Sequence, residues 1–385
     1  MENFNYYNPV QVLFGKGKIA EIGKFIPKGF KVMLTYGGGS IKQNGVHDQV
    51  MQALRGYEVV EFGGIEPNPR YETLMVAVGQ VQRENIGFLL AVGGGSVIDG
   101  TKFIAAASCF RGKNPWDIVA KGARVDAALS LGTVLTLPAT GSEMNCNSVV
   151  TREETREKLS FASRHVFPRF SVLDPETTYS LPARQLANGI IDAFVHVMEQ
   201  YYTFRRGDEI QDRFSEGILK TLIDIAPRLM GDEEPDYQTR ATFMWAATVA
   251  LNGVIGCGVA QDWSSHHIGH ELTALHGLDH GVTLAIVLPG VLHATANSRR
   301  EKLLQYAERV WGIDPARPDA AEQAIEKTEN FFRSLGVETR LPAYHVGMET
   351  IERVERRLRE RGVFALGGID DVNIDNLREI LTSRL

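Results

Sequence analysis

The first half of the chain switches repeatedly between short β-rich runs and helical patterns, and this alternation limits the fold more than any other feature. Lys31-Val32-Met33-Leu34-Thr35-Tyr36 ends at Gly37-Gly38-Gly39-Ser40 and precedes a helical stretch to about Arg55. Glu58-Val59-Val60-Glu61-Phe62 gives way to a turn-rich stretch from Gly63 to Pro69 and a helical pattern from Tyr71. Phe88-Leu89-Leu90-Ala91-Val92 runs into Gly93-Gly94-Gly95-Ser96 and an Ala-rich helix through Ala107. Thr133 to Leu137 and Phe170 to Leu173 read as further strands. Strands joined through helices pair in parallel, because each crossover returns the chain to the same end of the sheet. From about Leu181 the strand patterns vanish, and helical periodicity dominates 186–202, 209–225, 239–255, 301–311, 320–334 and 348–361. Pro175 and Pro182 punctuate the change. The expectation is an α/β domain over 1–180, a parallel sheet flanked by helices, followed by an all-helical domain over 181–385.

At 385 residues, 44% of them hydrophobic and 23% charged, the chain has the make-up of a globular protein large enough for two domains. A net charge of −6 argues against nucleic acid or an anionic membrane as the main partner. The apolar run from Val282 to Ala296 contains Pro289 and His293 and is too short to span a bilayer. The first residues show no basic region followed by an apolar stretch, so a signal peptide is not expected. Cys109, Cys146 and Cys257 are scattered without paired metal spacing, which fits small apolar roles in a reducing cytoplasm.

The glycine turns carry the first chemical signal. Gly93-Gly94-Gly95-Ser96, followed by Asp99, stands where a strand hands over to a helix. Glycines there let the backbone approach a ligand, and free N–H groups at the helix start attract a phosphate. The run is neither Gly-x-Gly-x-x-Gly nor a Walker motif, so a standard dinucleotide or P-loop fingerprint is excluded. Gly37-Gly38-Gly39-Ser40 closes the preceding strand in the same manner. An acid at such a turn holds the ribose of NAD and repels the extra phosphate of NADP. This turn has no acid and offers glycines, a serine hydroxyl and Lys42 nearby, which favours NADP. Thr136, Thr140 and Ser142 follow another strand, with Asn147 and Lys158 downstream. They suit adenine, ribose or phosphate, and equally suit turns and caps.

The helical half carries the second signal. Asp192 and His196 stand four apart, which places both side chains on one helical face. The stretch from Ser265 to His280 holds His266, His267, His270, His276 and His280, five of the chain's ten histidines. One carboxylate with several imidazoles suits a divalent metal such as zinc or iron. Spacing alone leaves the ligand set open, because 266 with 270 and 276 with 280 are both one turn apart. His47, His165, His293 and His345 stand alone and receive no role.

At this point the motifs coincide with a known family. Leu13-Phe14-Gly15-Lys16-Gly17, Gly93 to Asp99, Thr136 to Glu143, Asn188 to Tyr201 and His266 to His280 occur in one order over nearly the whole chain. In that order the chain resembles the iron-containing (group III) alcohol dehydrogenases, most closely their YqhD-type NADPH-dependent aldehyde reductases and butanol dehydrogenases. The resemblance implies an α/β nucleotide-binding domain followed by an all-α metal-binding domain, the dehydroquinate synthase-like architecture. It implies metal ligands Asp192, His196, His266 and His280, and a proton-transfer position at His270. It places the pyrophosphate at Gly94, Gly95, Ser96 and Asp99, and the 2′-phosphate of NADP at Gly37, Gly38 and Ser40. Asn68, Thr136, Thr140, Ser142, Asn147, Lys158, Tyr179 and Leu181 correspond to the surrounding adenosine and nicotinamide wall. The metal is zinc or iron(II), and a homodimer is implied. Cys146 falls in a stretch that varies within the family.

The expected activity is reversible hydride transfer between NADP(H) and a small aliphatic aldehyde or primary alcohol, the metal polarising the substrate oxygen. Phe161, Phe194 and Trp263 are expected to line an apolar cleft for the substrate. The rival is a metal- and NAD-dependent dehydroquinate synthase-like lyase. Such an enzyme requires a basic pocket for a phosphorylated polyol, and no lysine and arginine cluster accompanies the metal motifs.

Overall fold

A computed structural model describes residues 1–204, 207, 209–231 and 236–385. Among the described residues eight strands form: β1 (Gln11–Phe14), β2 (Val32–Tyr36), β3 (Val59–Phe62), β4 (Phe88–Gly94), β5 (Ser130–Leu137), β6 (Asn147–Arg152), β7 (Glu157–Ala162) and β8 (Phe170–Leu173). Six of them build a parallel sheet in the order β1-β8-β5-β4-β2-β3. Its interleaved helices are α1 (Ser40–Gln43), α2 (Val46–Ala53), α3 (Tyr71–Glu84), α4 (Gly95–Cys109) and α5 (Asp117–Ala120). The helical stretch expected to run to Arg55 is broken at Asn44-Gly45, where Gly45 takes φ 80°. Leu89 and Ala91 of β4 enter one apolar core, whereas Phe88, Leu90 and Val92 enter the other. A strand covered on both faces needs no polar alternation, which is why β4 reads as an unbroken apolar run.

β6 and β7 form a separate antiparallel hairpin that the strand pattern did not anticipate. Its turn has no glycine, and Arg156 itself takes the positive φ of 53° that usually marks Gly or Asn in a hairpin.

The remaining helices are α6 (Ala183–Tyr201), α7 (Glu209–Leu229), α8 (Tyr237–Ala250), α9 (Ser264–His276), α10 (His280–Ala294), α11 (Arg300–Arg309), α12 (Ala320–Ser334), α13 (Met348–Glu360) and α14 (Leu377–Thr382). The chain divides into two compact units. One comprises Tyr7–Pro182 with Glu234–Asn252, the other Met1–Tyr6, Ala183–Glu233 and Gly253–Leu385. α8 therefore belongs with the sheet. Thr248 Oγ1 donates to the buried Glu143 at 2.6 Å, and Arg240 Nη1 donates to Thr178 O at 3.2 Å. In the helical unit α10 is the hub, touching α6, α9, α12 and α14. Every residue from Gly281 to Leu292 is buried, so the apolar run around it is a core helix. Among the described residues no helix is long and apolar enough to cross a membrane.

Candidate active site

In the helical unit, α6 presents Asp192 and His196 one turn apart, both buried. α9 presents His266 and His270 with the same spacing. Gly277, at φ 68°, ends α9 in the left-handed conformation, so the chain enters α10 within three residues and delivers His280. Ligand-type atoms of Asp192, His196 and His266 lie within 4.8 Å of one another. Asp192 Oδ1 stands 3.5 Å from His196 Nδ1, 3.6 Å from His266 Nε2 and 3.5 Å from His280 Nε2. Two donors bound at ~2.1 Å to one tetrahedral ion lie about 3.4 Å apart, so these separations suit a shared cation. His196 Nδ1 and His266 Nε2 are buried and have no hydrogen-bond partner among the described residues. Buried polar atoms left so are costly unless a further group meets them. The donor set fits a divalent metal.

A second carboxylate orients the first set. Glu199 follows His196 by three residues, on the same buried face of α6. Its Oε1 accepts the backbone N–H of Ser265 at 2.6 Å and of His266 at 3.2 Å, while Oε2 pairs with His266 Nδ1. That contact turns Nε2 toward Asp192 and makes the ring a stronger donor. Burial pushes the His196 imidazole down to about 4, which keeps its lone pair available at neutral pH. At His266 burial acts in the same sense, but the Glu199 and Asp192 carboxylates outweigh it and raise the ring to about 9. Glu199→Gln is expected to weaken divalent-metal affinity by about 10–100-fold. Competition against a chelator measures this, and unchanged affinity would show that Glu199 does not orient His266.

The other histidines separate clearly. The His270 ring lies 6.2 Å from that of His266 and 5.4 Å from that of His280, beside the metal set. His267 Nδ1 faces Leu366 O at 2.5 Å and His276 Nε2 faces Thr350 Oγ1 at 2.9 Å, so both are engaged elsewhere. Trp263 is held at φ 73°, with its ring 6.1 Å from His196 and 5.6 Å from His266. Phe194 does not line a substrate cleft as expected. It is fully buried against Phe331 and Phe332, because its side of α6 faces the helical core. Phe161 likewise packs into the α/β core against Phe103.

In the α/β unit, the residues expected to hold a dinucleotide lie in the segments at the carboxyl ends of β2, β3, β4, β5 and β8 and on the β6–β7 hairpin. Ligands of open parallel sheets bind at that end. Gly39 takes φ 95° where β2 turns into α1, a conformation that favours glycine, and Gly37, Gly38 and Ser40 surround it. Gly94 and Gly95 lead from β4 into α4, with Ser96 one residue on. A Cβ on Gly95 would lie 2.3 Å from Thr140 Oγ1, so this turn and the Thr140 loop approach too closely for any side chain. Asn68, at φ 57°, donates its backbone N–H to Ser96 Oγ at 3.3 Å. Asn44 Nδ2 donates to Ser180 Oγ at 3.0 Å, which brings Tyr179 and Leu181 alongside α1. Thr136 is the penultimate residue of β5, and Lys158 lies on β7 opposite Thr151.

Asp99 faces inward from this array. It accepts Ser142 Oγ at 2.5 Å and Val149 N at 2.9 Å. Beside it Lys102, fully buried, donates to Ser142 Oγ at 2.8 Å, Asn145 Oδ1 at 3.0 Å and Asn147 O at 2.8 Å. Burial pushes the Lys102 ammonium down to about 8, against the pull of Asp99. This network bolts α4 to the Thr140–Asn147 segment. Sequence reasoning assigned no role to Lys102 or Glu199. Each lies three residues past a residue it did assign, on the same helical face, and that spacing was the available signal.

A family model described as iron-containing alcohol dehydrogenase matches residues 9–175. A second, described as the C-terminal part of the Fe-containing alcohol dehydrogenase family, matches residues 186–363. The chain is 53% identical over 383 residues to the NADPH-dependent aldehyde reductase YqhD of Escherichia coli (strain K12), covering 99% of each. It is 44% identical over 376 residues to NADP-dependent alcohol dehydrogenase 3 of Entamoeba histolytica, covering 96% of each. The crystal structure of E. coli K-12 YqhD matches with a TM-score of 0.97 at 52% identity, over 100% of this chain and 99% of that one.

Proposed function

The chain belongs to the iron-containing alcohol dehydrogenase family, and on that premise we propose that it is a metal-dependent, NADP(H)-linked aldehyde reductase and alcohol dehydrogenase. Its substrates are short-to-medium aliphatic aldehydes and primary alcohols, such as butanal and butanol. The observation that carries this reading is the convergence of Asp192, His196 and His266 on one point, with His280 Nε2 3.5 Å from the same Asp192 oxygen. The NADPH- and NADP-dependent relatives support the cofactor.

When bound, a zinc or iron(II) ion would supply Lewis acidity toward a carbonyl oxygen, and NADP(H) would supply or take up the hydride. The protein's residues prepare that chemistry. Asp192, His196, His266 and His280 would hold the ion, and the Asp192 carboxylate would offset its charge. Glu199 fixes the His266 ring, and Trp263 walls two of the imidazoles with apolar surface. His270, beside His266 and His280, is assigned to proton transfer. Gly94, Gly95 and Ser96 receive the pyrophosphate, Asp99 bracing their helix from within. Gly37, Gly38 and Ser40 receive the 2′-phosphate, and Asn68, Thr136, Thr140, Ser142, Asn147, Lys158, Tyr179 and Leu181 form the wall around the rest. We assign the protein to the cytoplasm, in keeping with three cysteines outside any disulfide. We also assign it to a homodimer, in keeping with the exposed Tyr7 and Phe14 beside the edge strand β1.

Protein supplied with zinc or iron(II) is expected to oxidise NADPH when given butanal, and substantially less NADH. No loss of the NADPH absorbance with any aldehyde would sink the reading. Gly37→Asp is expected to move the ratio of kcat/KM for NADPH over NADH toward NADH by at least about ten-fold, since an acid there repels the 2′-phosphate. The new Cβ lies 3.2 Å from Ile65 O, so a melting curve accompanies the kinetics.

A further inference from the structure

One charged cluster stands outside the roles assigned so far, beside the Gly37–Ser40 turn. Glu61, on β3, collects three side chains from three other places in the fold. Tyr36, at the end of β2, donates its hydroxyl to Glu61 Oε2 at 3.0 Å. Lys42, on α1, places Nζ 2.7 Å from the same oxygen and 4.9 Å above the Tyr36 ring. His47, on α2, places Nε2 3.0 Å from Oε1. The turn and this cluster are tied together through the backbone. Gly64 N–H donates to Gly37 O at 2.9 Å, and Ile65 N–H donates to Tyr36 O at 3.2 Å. Lys42 follows Ser40 by two residues, in the same helical turn.

The sequence of the turn shows a cation and no acid, but the fold supplies an acid from the neighbouring strand. Lys42 and Glu61 cancel each other's charge at the place where NADP and NAD differ. The pair is partly solvent-exposed, with 45% of the Lys42 side chain and 33% of the Glu61 side chain accessible. Pairs of that exposure are weak and exchange partners readily. A 2′-phosphate, with more negative charge and more acceptor oxygens than a carboxylate, competes well for an ammonium. Glu61 keeps the Tyr36 and His47 contacts when the lysine leaves.

We propose that Glu61 is a specificity-determining residue: it holds Lys42 in reserve, and the transfer of Lys42 from Glu61 to the 2′-phosphate sets how strongly the protein prefers NADP(H) over NAD(H). This rests on the assignment of the Gly37–Ser40 turn to the 2′-phosphate. The carboxylate lowers the preference in two ways, by competing for the cation and by repelling the incoming phosphate. Removing its charge therefore strengthens the preference.

The test is calorimetric binding of 2′,5′-ADP and 5′-AMP, which differ by the 2′-phosphate alone, to the wild-type protein, Glu61→Gln, Lys42→Met and the double variant. Glu61→Gln, which preserves shape, is expected to raise the ratio of the two dissociation constants in favour of 2′,5′-ADP by about ten-fold. Added salt is expected to erode that gain, as it screens partly exposed charges. The double variant is expected to lose most of the gain. A ratio unchanged in Glu61→Gln overturns the proposal, and a gain that survives in the double variant overturns the part assigned to Lys42. The wild-type ratio speaks separately to the underlying cofactor reading. A wild type indifferent to the 2′-phosphate contradicts NADP preference, while a variant that gains preference still supports the role of Glu61.

Discussion

Asp192→Ala is expected to lower kcat/KM for butanal reduction by at least about 10³-fold, because it removes the carboxylate on which three imidazoles converge and with it the Lewis acid. Asp192 Oδ1 is 3.5–3.6 Å from His196, His266 and His280. Without it a divalent ion would rest on neutral donors in a buried setting, an expensive arrangement. Metal content after dialysis should fall in parallel with activity. α6 is buried along most of its length, so a melting curve must show that the helical unit remains folded. Wild-type activity at wild-type metal content would refute the assignment of Asp192 as a ligand.

Lys102→Met is expected to destabilise the α/β unit by about 3–5 kcal/mol, the usual cost of stranding a buried charge. Lys102 is fully buried, and its three acceptors, Ser142, Asn145 and Asn147, would lose their donor. Asp99 would keep Ser142 and Val149 but lose the nearby positive charge, and burial already raises its carboxyl. Urea unfolding measures the loss. The double variant Asp99→Asn/Lys102→Met should recover part of it, because the stranded charge is then gone. If the double variant is as unstable as the two losses added together, the two residues do not act as a unit. The Michaelis constant for NADPH should also rise, since the network holds α4 against the Thr140–Asn147 segment.

The order of strands and helices in the first half was legible because the central strands are covered on both faces and because β2 and β4 each end in a glycine turn. β4 illustrates this: its apolar run and its Gly93-Gly94-Gly95 exit are visible without a structure. The β6–β7 hairpin was not legible, since Arg156 adopts the turn conformation for which a glycine would have been the marker. In the site, one-turn spacing revealed Asp192 with His196 and His266 with His270. Spacing tells which residues share a face and is silent on what that face meets. Glu199 meets His266 from 67 residues away, and Glu61 meets Lys42 across two elements. Both partnerships depend on how elements pack, which periodicity does not encode. α8 makes the same point at larger scale: its helical period is plain, but Thr248 seeking Glu143 is a long-range event.

The placement of α8 has a consequence for how the chain is made. Neither unit is a continuous stretch, because Glu234–Asn252 returns to the sheet after the chain has already begun the helical unit. A ribosome that has released Pro182 has produced every strand of the sheet but not the helix that covers the buried Glu143. The sheet-bearing unit thus waits for Asn252, and an early intermediate exposes that acid and the apolar core surface that Met244 of α8 later covers. Cutting the gene at the strand-to-helix transition would yield two fragments that are each incomplete, the first lacking α8 and the second carrying it without its sheet.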